Sequence, residues 1–131
     1  GEVLVHRRSD RKDLWPGRWD LCVGGVVAAG EEWVAAALRE LAEEIGVEAD
    51  EADLRYLGEC PYADSDVDEL ARIWTFTHDG PFEFTDGEVV EARMVDLAEL
   101  ADMLAAESFV ADSAAIVAPM LLGNRGADAA D

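Results

Sequence analysis

The sequence has a single lysine, Lys12, only two histidines and two cysteines in 131 residues, and no apolar run near the roughly 20 residues that span a bilayer. Each shortage removes a class of explanation. Cys22 and Cys60 stand alone, with no CxxC pair and no histidine at ligand spacing, so both are read as buried, reduced thiols and not as a disulfide or zinc site. No basic segment followed by a hydrophobic stretch resembles a signal peptide, and a cytoplasmic protein with no membrane partner is expected. Positive charge is scarce: 10 basic against 30 acidic side chains give a formal charge of −20, a surface that repels nucleic-acid backbones. Nine arginines to one lysine, with many alanines, fit a GC-rich genome or a salt-adapted organism, and composition does not separate the two.

The few cations are unevenly placed. Arg7, Arg8, Arg11, Lys12 and Arg18 put half of them in the first 18 positions, against the trend of the whole chain. That patch reads either as a solvated loop or as an anion clamp.

The length fits one domain, expected over 1–123, with 124–131 as a disordered tail. Strands are expected at Glu2–Arg7, Trp19–Val23, Val26–Val27, Leu54–Cys60, Leu70–His78 and Val89–Val95. Within Leu70–His78, the residues Leu70, Arg72, Trp74 and Phe76 alternate onto one face. A sheet built on Glu2–Arg7 wants an earlier partner, so the chain is expected to begin inside a hairpin whose upstream strand is absent. Helices are expected over about 31–45, 97–106 and 113–122, the first opened by Glu31-Glu32 and closed by Gly46, the second capped by Asp96 with Glu99. Together these give an α/β fold, an α/β/α sandwich with a mixed sheet.

The densest chemistry lies in Gly25–Val47, GVVAAGEEWVAAALRELAEEIGV. At 100° per residue, with Glu40 at zero, Glu44 falls at about 40° and Glu43 at about 300°, while Val34, Leu38, Leu41 and Ile45 fall between about 100° and 160°. Three carboxylates therefore share an arc beside the core-facing stripe. Such charges repel by roughly 3 kcal/mol per pair at an effective dielectric of 20, yet exposed helix pairs cost only about 0.2–0.5 kcal/mol. A solvated acidic face and a divalent-cation site both remain open on these grounds.

The spacing itself is more specific: glycine, five residues, Glu, seven residues, then Arg-Glu-aliphatic-x-Glu-Glu-x-Gly-aliphatic. This resembles the Nudix box at every defining position. The resemblance implies hydrolysis of a diphosphate linked to another moiety, by water attack at phosphorus, with magnesium or manganese held by Glu40, Glu43 and Glu44. It further implies an Arg39–Glu31 ion pair bracing the loop against the helix, and the Gly24 carbonyl as a further metal ligand, with Gly24-Gly25 letting backbone approach the ion. The expected partner is a small diphosphate substrate, and the expected assembly a monomer or homodimer.

The flanks LVHRRSDRKDLWPGRWD, VDELARIWTF and GEVVEARMVDLAEL resemble isopentenyl-diphosphate isomerase and its hydrolase-like Nudix relatives. In that branch the positions of Arg8 and Lys12 bind the diphosphate. The same comparison implies an acidic active-site position for Glu69, and Glu88 lies in the EV stretch that in several Nudix hydrolases offers another catalytic or metal-binding carboxylate. Two departures argue against isomerisation: Gly24 stands where the isomerase keeps a cysteine, and Val26 where it keeps a metal-binding histidine. Cys22 lies two residues too early. The rivals to hydrolysis are an isomerase-like enzyme and a catalytically silent metabolite sensor. Trp15, Trp19, Trp74 and Phe76 read as core or rim packing before base stacking, and His6 and His78 as satisfied or exposed strand-end residues.

Overall fold

The computed structural model describes residues 1–84 and 87–130, with side chains of the last helix described through Gly123. In chain order the elements are β1 (Glu2–Arg8), β2 (Trp19–Asp20), α1 (Trp33–Ile45), β3 (Arg55–Ala63), β4 (Asp68–Thr75), β5 (Val89–Asp96), α2 (Leu97–Ala106) and α3 (Ala111–Ala130), with a short 3-10 turn at Glu51–Asp53. They divide into two compact units, Gly1–Cys22 with Gly87–Asp131, and Val23–Asp86.

The first unit is built on an antiparallel sheet in the order β2-β1-β5. Val5 on β1 and Val95 on β5 are buried, as are Leu100 and Met103 on α2 and Ile116 and Val117 on α3. Each such side chain contributes about 1.5–3 kcal/mol of burial. The Asp96 carboxylate accepts a 2.8 Å hydrogen bond from the Glu99 N–H, the cap that the Asp-x-x-Glu spacing anticipates. β2 stops after two residues, short of the expected Val23, because the Asp20 carboxylate bends the chain by accepting the Cys22 N–H at 2.9 Å. The same oxygen accepts the Ser113 hydroxyl, tying β2 to α3. On its outer side Trp19 makes an isolated parallel bridge with Phe109, and this supplies the mixed character of an otherwise antiparallel sheet.

His6 lies within β1 and is buried, with Nε2 donating to the Cys22 carbonyl at 2.8 Å and Nδ1 unpartnered. α3 starts two residues earlier than expected and does not stop at Gly123, since a helical glycine costs only about 1 kcal/mol against alanine. Pro119 is tolerated because it faces outward, as does Ala115, whose carbonyl its ring deprives of a partner and water can reach. The reading of 124–131 as a disordered tail falls on side chains, and on Asp131, outside those described.

In the second unit α1 begins at Trp33 with Glu32 as N-cap, so neither Glu31 nor any other acid lies in the first turn. Leu41 and Ile45 are buried on the expected stripe, while Ala36 is buried on the side of Glu40. Gly46 closes the helix in the left-handed region, at φ 68°. The Glu83 N–H then donates to the Ile45 carbonyl at 2.8 Å, satisfying one of the orphaned acceptors of the last turn. No strand forms at Val26–Val27, and Val26 is exposed. β3 and β4 form an antiparallel hairpin whose turn is pinned by Asp64, which accepts the Asp66 and Val67 N–H groups and the Tyr62 hydroxyl. Those donors hold the Asp64 carboxyl below its ordinary range, the Tyr62 hydroxyl foremost.

On β4, Leu70, Arg72 and Trp74 share one face, as their alternation indicates. Leu70 is 50% exposed, while Glu69, Ala71 and Ile73 line the half-buried face. Arg72 instead lies over the Trp33 ring, 4.5 Å from its centroid, and pairs with Glu59 at 2.9 Å. Neither Cys22 nor Cys60 forms a disulfide, and both are half-buried and not fully enclosed. Among the described residues no helix is long and apolar enough to cross a membrane.

Candidate metal and diphosphate site

α1 carries Arg39, Glu40, Glu43 and Glu44 within two turns, and the loop before it carries Gly24, Gly25 and Glu31. All belong to the second unit. The Arg39 guanidinium organises them. Its Nε donates to Glu31 Oε2 at 2.8 Å and its Nη2 to Glu31 Oε1 at 3.1 Å, a two-pronged pair with specific geometry. Its Nη1 donates to Glu40 Oε1 at 2.9 Å and to Glu43 Oε2 at 3.2 Å. Nη2 also reaches the Val26 carbonyl at 3.4 Å, and Glu31 Oε1 accepts the Ala28 N–H at 3.0 Å. The loop is thus fastened to the helix through one arginine and one glutamate.

Electrostatics follow the geometry. The hydrogen bond from Arg39, and then that from the Ala28 N–H, lower the Glu31 pKa from 4.5 to about 2. Arg39, held first by Glu31, is pushed above the ordinary guanidinium range. Because the folded value lies below the unfolded one, the stabilising effect of Glu31 is fully present above about pH 4.5 and is lost as pH falls through about 2. A carboxyl-carbon NMR titration should place the Glu31 midpoint near pH 2; a midpoint near 4.5 would contradict the pairing.

The acidic arc is not a uniformly solvated face. The Glu40 side chain is 13% exposed, and Ala36, one turn earlier on that side, is buried. Gly25 is what allows this cover: a Cβ there would sit 2.5 Å from Glu40 Oε1, closer than real contacts permit. A Cβ on Gly24 would meet nothing within 4 Å. Its N–H donates to Glu44 Oε2 at 3.2 Å. Glu43 is 58% exposed.

The donor set suits a hard divalent cation in kind, because all its side-chain atoms are carboxylate oxygens. The close backbone approach at Gly25 leaves room for the Glu40 carboxylate, which occupies the place a Cβ would take. Their present arrangement is set by protein partners: Glu40 and Glu43 converge on Arg39 Nη1, and Glu44 turns to Gly24. Among the described residues no group of three or more His, Cys, Asp or Glu is placed to hold a metal ion.

The cations singled out in the sequence lie in the first unit. The β1–β5 register slips between Arg7 and Arg8, pairing Arg7 with Glu91 and Arg8 with Val89, so Val90 is the extra residue of a bulge. Beyond it, the Ser9 N–H donates to the Glu88 carbonyl at 2.8 Å and Lys12 Nζ pairs with Glu88 Oε2 at 2.9 Å. Arg8 donates to the Leu14 carbonyl at 3.0 Å, and its Nε is buried without a partner. Arg8, Lys12 and Glu88 are therefore gathered at one end of one strand pair. Glu69 sits on β4 opposite Tyr62, on the half-buried face. The roles of Val26 and Ala28 were invisible in the sequence, because they act through backbone atoms that every residue has.

Residues 1–117 match the family model of the NUDIX domain. The chain belongs to the Nudix family. It is 36% identical over 95 residues to an uncharacterized Nudix hydrolase of Pseudomonas aeruginosa, covering 72% of this chain and 55% of that one. The Nudix chain here spans about half the length of the curated relatives it matches. Among solved structures it is similar to a MutT protein from Methanosarcina mazei Go1, with TM-score 0.69 and 25% identity over 85% of this chain and 76% of that one. The NUDIX domain of Shewanella oneidensis NrtR, complexed with ADP ribose, shares the fold at TM-score 0.67 and 17% identity, covering 88% of this chain and 73% of that one. The mixed α/β arrangement with three helices is that of the Nudix fold.

Proposed function

We propose that this Nudix domain is a divalent-metal-dependent pyrophosphohydrolase acting on a small metabolite in which a diphosphate is linked to another moiety. The observation that carries the reading is the covered acidic arc: Glu40 held beneath Gly25 and fastened, with Glu43, to an arginine. A solvated acidic face would not need such cover, and Glu40 loses hydration beneath it. In this reading Glu40, Glu43 and Glu44, with the Gly24 carbonyl, hold magnesium or manganese. When bound, the ion neutralises the diphosphate and makes water a usable nucleophile at neutral pH. Glu31 and Arg39 hold the loop and helix in register. Arg8 and Lys12 bind the diphosphate, with Glu88 orienting Lys12 through their 2.9 Å pair. Glu69 is the remaining acid assigned to the site. The net reaction adds one water across a P–O–P bridge, giving two phosphate-terminated products.

A panel of nucleoside triphosphates, nucleotide sugars, ADP-ribose, dinucleotides and isopentenyl diphosphate, each with magnesium and with EDTA, tests this. At least one diphosphate should be cleaved only with metal. Binding without turnover of any member would overturn the reading in favour of a sensor, and an allylic product from isopentenyl diphosphate in favour of isomerisation. Arg8→Ala and Lys12→Ala should each raise KM about tenfold with smaller effects on kcat, as expected for charged hydrogen bonds made equally to substrate and transition state. A loss confined to kcat would contradict a binding role.

A further inference from the structure

Arg39 divides its donors in a way that a brace alone does not require. Nε and Nη2 form the two-pronged pair with Glu31, which already fastens loop to helix. The remaining nitrogen, Nη1, serves two carboxylates of the acidic arc at once, Glu40 at 2.9 Å and Glu43 at 3.2 Å. A positively charged donor within reach of both oxygens stands where a cation would gather them. We propose that Arg39 is a tethered counter-ion that competes with the divalent cation for Glu40 and Glu43, and so sets how tightly the arc takes a metal. The proposal rests on the reading of these glutamates as metal-binding.

Two observations support competition. Between Val23 and Asp86 the only basic residues are Arg39, Arg55 and Arg72, and Arg72 is engaged with Glu59 and Trp33. Arg39 is therefore the cation that answers the Glu40 charge, whose side chain is 13% exposed and poorly served by water. The two contacts are also unequal. The one to Glu40 is short and sheltered, whereas the one to Glu43 is longer, and Glu43 is 58% exposed. Glu43 can swing off Nη1 toward an incoming ion while Glu31 keeps the guanidinium in place. Loading a metal then costs an arginine contact, and affinity is reduced by that cost.

A brace and a competitor give opposite signs. Removing a brace disorders the arc and weakens metal binding; removing a competing positive charge strengthens it. Mn2+ binding, read from the electron paramagnetic resonance signal of the free ion, separates them, with melting in EDTA as the check on folding. Arg39→Gln should bind Mn2+ about tenfold more tightly than the unaltered protein, while melting lower in EDTA. Glu31→Gln keeps the arginine but frees its forked edge for Glu40 and Glu43, and should bind Mn2+ severalfold more weakly. Weaker binding by Arg39→Gln, or unchanged or tighter binding by Glu31→Gln, would overturn the proposal. Where Arg39→Gln does not fold, Arg39→Met, which keeps the length of the side chain without its charge, is read by the same criterion, because Glu31→Gln also loosens the brace. Absence of Mn2+ binding by the unaltered protein would instead sink the metal reading itself, and the competition with it.

Discussion

Glu43→Gln is expected to lower kcat of metal-dependent hydrolysis by about a thousandfold, equivalent to about 4 kcal/mol of transition-state stabilisation. The replacement keeps the size of the side chain and removes the charge a hard cation requires. Its effect on folding should be slight. The contact of Glu43 with Arg39 is an exposed pair one helical turn apart, worth about 0.3–0.5 kcal/mol, and the residue covers no core. Loss of activity with an unchanged denaturation midpoint therefore reports chemistry. Steady-state kinetics beside urea denaturation checks this, and wild-type turnover by the variant would remove Glu43 from the site.

The largest effect on stability is expected at Gly46. Its φ of 68° lies in the left-handed region, where a Cβ costs about 1–2 kcal/mol. A Cβ there would also stand 2.8 Å from Glu83 Cβ and 3.3 Å from the Glu83 backbone N and O. That backbone is not free to withdraw, because the Glu83 N–H caps the Ile45 carbonyl at 2.8 Å. Overpacking adds about 1–3 kcal/mol, so Gly46→Ala should lose about 2–5 kcal/mol and lower Tm by on the order of 10 °C. Gly123→Ala provides the contrast. It is helical, a Cβ on it meets nothing within 4 Å, and alanine there should be neutral or stabilising by up to about 1 kcal/mol. Equal effects at the two glycines would contradict the cap geometry.

Gly46 also shows what was legible in the chain. Its role as a helix stop, the Asp96 cap, the strands around Val5 and Val95, and the Leu41–Ile45 stripe all follow from local signals that the fold did not override. That Gly46 additionally clears space for Glu83, 37 residues on, has no local signal, since it depends on where the chain returns. β4 was legible only in part. Leu70, Arg72 and Trp74 share a face, as their alternation indicates, and they lie opposite Pro61, Glu59 and Tyr56, on the side that carries the Glu59–Arg72 pair and the exposed Leu70. Period-2 patterning identifies two faces without saying which is covered. At the candidate site, residue types and spacing were readable because carboxylates and arginine announce themselves. The cover over Glu40, the two-way division of Arg39, and the pairing of Lys12 with Glu88 were not, because each depends on loop backbone meeting side chains.

The most direct test of the account is hydrolysis of a cleaved diphosphate in 18O-labelled water, followed by mass spectrometry of both products. With magnesium present, one 18O should appear on a phosphate of one product, and with EDTA neither product should form. Cleavage in EDTA at the same rate, or metal-dependent cleavage with no label on phosphorus, would contradict it.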